Sequence, residues 1–331
     1  MRVSFSAVFT ERQKTTSACN AVLRGKTVKE IQMSRREKLL KQELVAEIRK
    51  SGGSFKKQDD YSRIMHRFAE RLAALNIQIN SVSQLKVRHI ELYMNSRASD
   101  DVSRRTRQNE MSAIRVMLRN AGKHKLADPS HERLNNKSLG ISDTSRMGTK
   151  KSVSDERYIE ILQNIEKKNE GVAVAVCLSR YIGLRNEEAI QSAKSLNTWL
   201  KALQRGDKTL KVIFGTKGGR ARLTTIVDRD KVLDAVNRAI KHAENNNGKI
   251  IDKPDLKSAM DYYRNTLRTE MTGGHETPHS LRYSYAEDAF RYHLARGFSK
   301  DESLALTSMD LGHGDGRGTY IRNVYCQSLM D

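Results

Sequence analysis

Only three prolines, Pro129, Pro254 and Pro278, interrupt 331 residues. Proline lacks a backbone donor and clashes with the preceding turn, so it breaks helices. A chain this poor in proline leaves long helical runs open, and its apolar spacing fills them. In EIQMSRREKLLKQELVAEIRK the residues Ile31, Leu39, Leu40, Leu44 and Ile48 recur at helical intervals, and SGG at 51–53 stops the run. YSRIMHRFAERLAAL places Ile64, Phe68, Leu72 and Leu75 on one face. QLKVRHIELYMNS follows, with Ser81 and Ser83 available as caps. In SRRTRQNEMSAIRVMLRNAGK, Met111, Ile114, Met117 and Leu118 point inward. Further helices are expected around 154–168, 171–183, 186–204, 229–244, 255–271, 279–296 and 300–310. One stretch departs from this pattern. LKVIF (210–214) and RLTTIV (222–227), rich in β-branched residues and joined by GTKGGRA, predict a β-hairpin. The fold class is mainly α with a small β-hairpin or sheet.

These runs divide into four parts. Residues 1–53 form a basic N-terminal extension with a helix, and its first 50 residues hold twelve Lys/Arg against five Asp/Glu. Residues 54–136 form a small helical domain. Residues 137–152, KSLGISDTSRMGTKKS, are small, polar and basic and read as a linker. Residues 153–331 form a second domain, opened by Ser152 and Asp155 as helix-start signals.

Charge narrows the function. Sixty Lys/Arg against 39 Asp/Glu give a formal net charge of +21. A field of that sign draws polyanions, nucleic acid first among them. Arg104, Arg105 and Arg107 crowd the start of a helix, where the dipole prefers acids. A docked phosphate backbone would supply the missing negative charge; the alternative is a solvated helix start. Three cysteines without a CxxC pair argue against a disulfide framework or zinc site and fit a reducing cytoplasm. No stretch approaches the roughly 18 apolar residues of a membrane span, and no secretory signal opens the chain. An RNA-binding role would need aromatic platforms, which 6% aromatics without a clustered motif do not supply.

Four islands of the second domain carry donors suited to a phosphate. In YIGLRNEEAI, Arg185 offers a planar fork and Glu188, three residues on, lies on the same helical face. Lys217 sits in TKGGR at the hairpin tip, where glycines allow close approach to a ligand. In TPHSLRYSYA, His279 and Arg282 share a face just after Pro278. In LGHGDGRGTYIRNVY, His313 lies between Gly312 and Gly314 with tyrosines downstream. Singly, each has a bland reading: a surface ion pair, a turn lysine, a half-buried aromatic.

Together and in this order, GLRNEE, TKGG, HSLR, LGH and a late tyrosine resemble the tyrosine recombinase (phage integrase) family. The resemblance covers 153–331 and, more weakly, 54–136. It implies a helical core-binding domain followed by a mixed α/β catalytic domain. It implies that a tyrosine attacks the scissile phosphate, leaving a 3′-phosphotyrosine and a free 5′-hydroxyl. In that chemistry Arg185, Arg282 and His313 neutralise the phosphate and Lys217 protonates the leaving oxygen. His279 assists proton movement and Glu188 orients its neighbours. No cofactor, metal or ATP is expected.

The identity of the tyrosine is open at this level. Typical members place it about nine residues after the last box histidine, which here is Arg322. Tyr320 lies seven residues on and Tyr325 twelve. IRNVY resembles the helix that ends in the family's nucleophile, and GDGRG can absorb extra residues as a loop, so Tyr325 is favoured with Tyr320 as the alternative. The resemblance further implies double-stranded DNA at specific sites, a dimer on each site, a homotetramer in the synapse and an accessory DNA-bending factor. It implies a nucleoid-associated, cytoplasmic protein of bacterial or phage origin. Two rival readings remain: a DNA-binding architectural or regulatory protein with a decayed site, and a tyrosine-based DNA-relaxing or hairpin-forming enzyme.

Overall fold

The computed structural model describes residues 34–272 and 274–329. The chain divides into two compact units, with the boundary between Thr144 and Ser145. This falls inside the stretch expected as a linker.

The first unit is helical: α1 (Arg35–Arg49), α2 (Phe55–Ala74), α3 (Val87–Ser99), α4 (Arg104–Asn120) and the single turn α5 (His124–Ala127). Serine caps open three of them. Ser34, Ser54 and Ser103 each accept a backbone N–H from the first turn that follows. The expected extension is not separate where it is described. Leu40, Leu44 and Ile48 of α1 are buried in the same core as Met65, Phe68, Ile90, Met111 and Ile114. Burying each such side chain contributes about 1.5–3 kcal/mol, too much for a loosely attached arm. Residues 1–33, which hold the rest of the expected extension, lie outside the described residues. The first half of the expected linker also belongs here, since Leu139 and Ile141 are buried in this core.

The second unit holds α6 (Asp155–Glu166), α7 (Glu170–Ile182), α8 (Asn186–Ile190), α9 (Leu196–Gln204), β1 (Thr209–Val212), β2 (Arg222–Thr225), α10 (Arg229–Glu244), α11 (Leu256–Arg268), α12 (Ser280–Ala295), α13 (Lys300–Asp310) and α14 (Gly318–Val324). β1 and β2 form an antiparallel two-stranded sheet in which Leu210 faces Thr224 and Val212 faces Arg222. The helix expected over 186–204 is broken. It becomes α8, a 3-10 turn at Ser192–Lys194 and α9. Ser192 turns its hydroxyl onto the Ala189 carbonyl at 2.7 Å, the local side-chain bond that competes with helix continuation.

α7 and α12 are the buried helices of this unit. α7 is sheathed by a core that includes Ile161, Trp199, Val236 and Tyr263. α12 gives Leu281 to that core and Tyr285, Ala286 and Phe290 to a second one, which also takes in Ile321, Tyr325 and Cys326. A helix buried between two cores loses its amphipathic stripe, so α12 places its first turn inside the protein, beside the end of α7. No helix among the described residues is long and apolar enough to cross a membrane.

Candidate active site

The site forms where α7 ends. Gly183 caps α7 in the left-handed conformation (φ 64°), and a Cβ there would lie 2.3 Å from the Tyr285 ring. The chain reverses at once into α8, with Arg185 as its N-cap residue. Glu188 reaches back to the Arg185 backbone N–H at 2.8 Å and holds Arg185 Nη1 at 2.7 Å. The same carboxylate takes Arg222 Nη2 at 2.8 Å and lies 3.7 Å from Arg282 Nη1. Burial alone would raise the Glu188 carboxyl, but Arg222, Arg282 and Arg185 overcome it and hold the group at about 2.

The three guanidiniums find further acceptors in the backbone. Arg185 Nη2 donates to the Leu311 carbonyl at 3.0 Å, and Arg222 Nη2 to the Gly183 carbonyl at 3.0 Å. Arg222 also donates to the Asp310 carbonyl, and Arg282 to the carbonyls of Gly183 and Leu311. These carbonyls lie at the ends of α7 and α13, where helices leave acceptors unpaired and the dipole is negative. Gly312 makes this packing possible. Its φ is 66°, and a Cβ there would lie 2.6 Å from Arg222 Cδ.

Two histidines and a tyrosine close the arrangement. His279 stands just before α12, and His313 follows α13. Both Nε2 atoms lie 3.2 Å from the Tyr325 hydroxyl. Burial lowers both rings, reinforced by Arg282 and Arg185. His279 falls to about 4 and His313 to about 3. Both are therefore neutral imidazoles at neutral pH. A phenol has one proton to give, so one histidine accepts it while the other donates to the phenol oxygen.

The structure brings Arg185, Glu188, His279, Arg282, His313 and Tyr325 together. Lys217 lies in a tight turn, Lys217–Gly219, at the exposed hairpin tip. It lines the same cleft, of about 1150 Å³, as Arg185, Arg222, His279, His313, Tyr320 and Tyr325. Arg282 is placed differently from expectation. It is fully buried and not among the cleft-lining residues. Its position in the first turn of α12 aims it at the carbonyls of Gly183 and Leu311, so its charge lies behind the cleft surface. Burial lowers this guanidinium to about 10.

The candidate positions for the tyrosine differ in where they stand. Arg322, at the usual offset from His313, is exposed and pairs with Asp301 at 3.2 Å. Tyr320 is 38% exposed, its ring 5.1 Å from that of His313. Tyr325, at the C-terminal cap of α14, is 4% exposed and alone of the three meets both histidines. Arg104, Arg105 and Arg107 stand in the other unit at the start of α4. The first two are exposed; the third donates to the Val102 carbonyl at 3.1 Å. Arg222 escaped the sequence reading. Period-two alternation in RARLTTIV puts Arg222 on one face with Thr224 and Ile226, and the structure turns that face inward. Among the described residues no group of three or more His, Cys, Asp or Glu is arranged to hold a metal ion.

Two family profiles and several solved structures resemble this chain. Residues 140–288 match the family profile described as integrase, and residues 37–127 match the one described as phage integrase, N-terminal. Among solved structures, a lambda integrase dimer bound to a COC′ core site is 16% identical, with a TM-score of 0.53, covering 94% of this chain and 85% of that one. A lambda integrase tetramer bound to a Holliday junction is 14% identical, with a TM-score of 0.52, covering 92% and 87%. The Tn1549 transposon integrase in complex with transposon right end DNA is 14% identical, with a TM-score of 0.50, covering 86% and 94%. A search of curated protein sequences finds no match.

Proposed function

The chain belongs to the tyrosine recombinase (phage integrase) family, a family of site-specific DNA recombinases, and on that premise we propose that Tyr325 is the nucleophile that cuts and rejoins DNA through a 3′-phosphotyrosine intermediate. The observation that carries this is the Tyr325 hydroxyl, 3.2 Å from each of two neutral histidines beside a cluster of buried arginines.

A phosphodiester resists attack because it is anionic, and charge builds on its oxygens as the fifth bond to phosphorus forms. Here the phenol oxygen attacks phosphorus, its proton passes to His279, and the bond to the 5′-oxygen breaks. Lys217, carried on the hairpin tip, gives that oxygen a proton. Arg185 grips the phosphate from the cleft, Arg282 contributes its charge from behind, and His313 donates to a phosphate oxygen once the phenol has turned to attack. One donor of this kind accounts for about 3–4 kcal/mol of transition-state stabilisation. The new ester conserves the energy of the old one, so a second 5′-hydroxyl can reverse the step on another strand without ATP.

Double-stranded DNA is the partner, consistent with the net charge of +21. By analogy with the lambda assemblies, one dimer occupies each site and two dimers form the synaptic tetramer. The decayed-site reading rested on the displaced tyrosine. It loses that support because the loop after His313 and the short α14 return Tyr325 to the histidines.

The test uses duplex selected from a randomised pool by binding to the wild-type chain, then nicked at successive positions to trap covalent products. Wild type and Tyr320→Phe are expected to give protein–DNA adducts on a denaturing gel. Tyr325→Phe should give none while binding the duplex normally. Adducts that persist in Tyr325→Phe and vanish in Tyr320→Phe would overturn the assignment.

A further inference from the structure

Arg222 has more contacts at the site than any role drawn so far uses. It comes from the hairpin, inward on β2, and is buried except for the part that lines the cleft. Its one guanidinium joins three separate pieces: the Glu188 carboxylate of α8, the Gly183 carbonyl ending α7 and the Asp310 carbonyl ending α13. Its Nε is buried without a partner. A side chain whose task was only to fill this space would be cheaper as a hydrocarbon, because burying a cation is costly even when it is paired.

The charges around it do not cancel. Arg185, Arg222 and Arg282 share the single carboxylate of Glu188, which leaves two positive charges in excess. The Asp310 carboxylate lies outside this set. It accepts from the Thr225 backbone N–H at 2.9 Å and the Thr225 hydroxyl at 2.7 Å, and meets His293 Nε2 at 2.9 Å. A phosphodiester carries one negative charge, and its pentacoordinate transition state carries two. Without Arg222 the excess would match the ground state. With it, the excess matches the transition state. Only interactions stronger in the transition state than in the ground state raise the chemical rate.

We propose that Arg222 is a positioning residue for strand cleavage: it fixes Glu188, and through it the Arg185 fork, and brings the arginine cluster to the charge of the phosphorane rather than of the bound phosphodiester. The inference rests on the cleavage chemistry proposed above.

The experiment compares full-length wild type, Arg222→Lys, Arg222→Gln and Arg185→Ala on two nicked duplexes. One carries the natural scissile phosphate. The other carries a methylphosphonate there, which replaces a charged oxygen by a methyl group and removes one negative charge from both states. On the phosphate, Arg222→Gln should bind within about threefold of wild type and form adducts about 100-fold more slowly, the scale of one lost transition-state donor. On the methylphosphonate the deficit should shrink below about tenfold, in parallel with Arg185→Ala. Arg222→Lys, which keeps the charge but lacks the fork that reaches three acceptors, should fall between wild type and Arg222→Gln. An equal deficit on both duplexes, or loss of DNA binding or of the folding transition together with activity, would make Arg222 a brace of the hairpin and overturn the proposal. If wild type itself forms no adduct on the phosphate, the cleavage reading falls and this one with it.

Discussion

Each unit of the protein buries one glutamate among arginines, and the two arrangements lead to different ends. In the first unit Glu110 accepts from Tyr93 Oη at 3.0 Å, from Arg97 Nε at 3.0 Å and Nη2 at 2.8 Å, and from Arg67 Nη1 at 3.0 Å. These bonds tie α2, α3 and α4 together, and the Arg67 side chain remains 46% exposed. In the second unit Glu188 is equally well supplied, but its arginines come from α8, β2 and α12 and are held again by the carbonyls that end α7 and α13. The carboxylates are alike; the surroundings are not. Around Glu110 the surplus charge faces water, which screens it. Around Glu188 it is buried beside a cleft that also holds two neutral histidines and a phenol. A shared carboxylate braces a bundle in one place and gathers cations beside a cleft in the other. What decides is whether the surplus cation faces solvent or is buried beside the cleft.

The sharpest break of this contrast is a matched pair of substitutions. Glu188→Gln should slow adduct formation by about 100-fold, because Arg185 and Arg222 lose their common anchor. Glu110→Gln should instead cost about 3 kcal/mol of stability, read from chemical denaturation, with the adduct rate of the folded, DNA-bound protein unchanged. Equal loss of rate in both variants would erase the distinction.

A smaller effect lies in acid. His279 and His313 sit near 4 and 3, below their unfolded value of about 6.5. Between these limits the unfolded chain binds more protons than the folded one, so stability is full above about pH 6.5 and falls as pH drops toward 3. Glu188 acts lower, its contribution present above about 4.5 and lost as pH falls toward 2. Thermal melts should drop by several degrees from pH 7 to pH 4.5, and the double variant His279→Asn, His313→Asn should flatten that dependence. A melt independent of pH over this range would contradict the burial argument. Bound DNA should reduce the acid sensitivity, since a phosphate favours the charged rings.

The smallest effect belongs to the first unit. If the start of α4 meets the DNA backbone, Arg104→Gln and Arg105→Gln should each reduce the slope of log affinity against log salt by about 0.9. An unchanged slope would leave them as solvated charges.

Much of this was legible because it is local. Helix periodicity gave α1, α2 and α4, since the apolar stripe must face a core wherever that core lies. The boxes around Arg185, His279 and His313 were each weak alone and became legible through their order along the chain, which resembles the family's. Arg222 was not singled out, because an arginine on a short strand looks solvent-facing until its partners on α7, α8 and α13 are known. The break within 186–204 was hidden as well, since one serine hydroxyl outcompetes a helix whose apolar pattern continues. The membership of α1 in the first core was hidden for a related reason: a basic amphipathic helix carries no mark of what it packs against.

The sequence by itself determined a basic, mainly helical chain and the chemical kinds of group at its site, because periodicity, capping and charge are properties of neighbours along the chain. Only the tertiary structure decided which tyrosine meets the histidines, that Arg282 lies buried behind the cleft and that Arg222 joins the cluster. Those outcomes depend on where the ends of α7 and α13 meet, and spacing along the chain does not encode such distances.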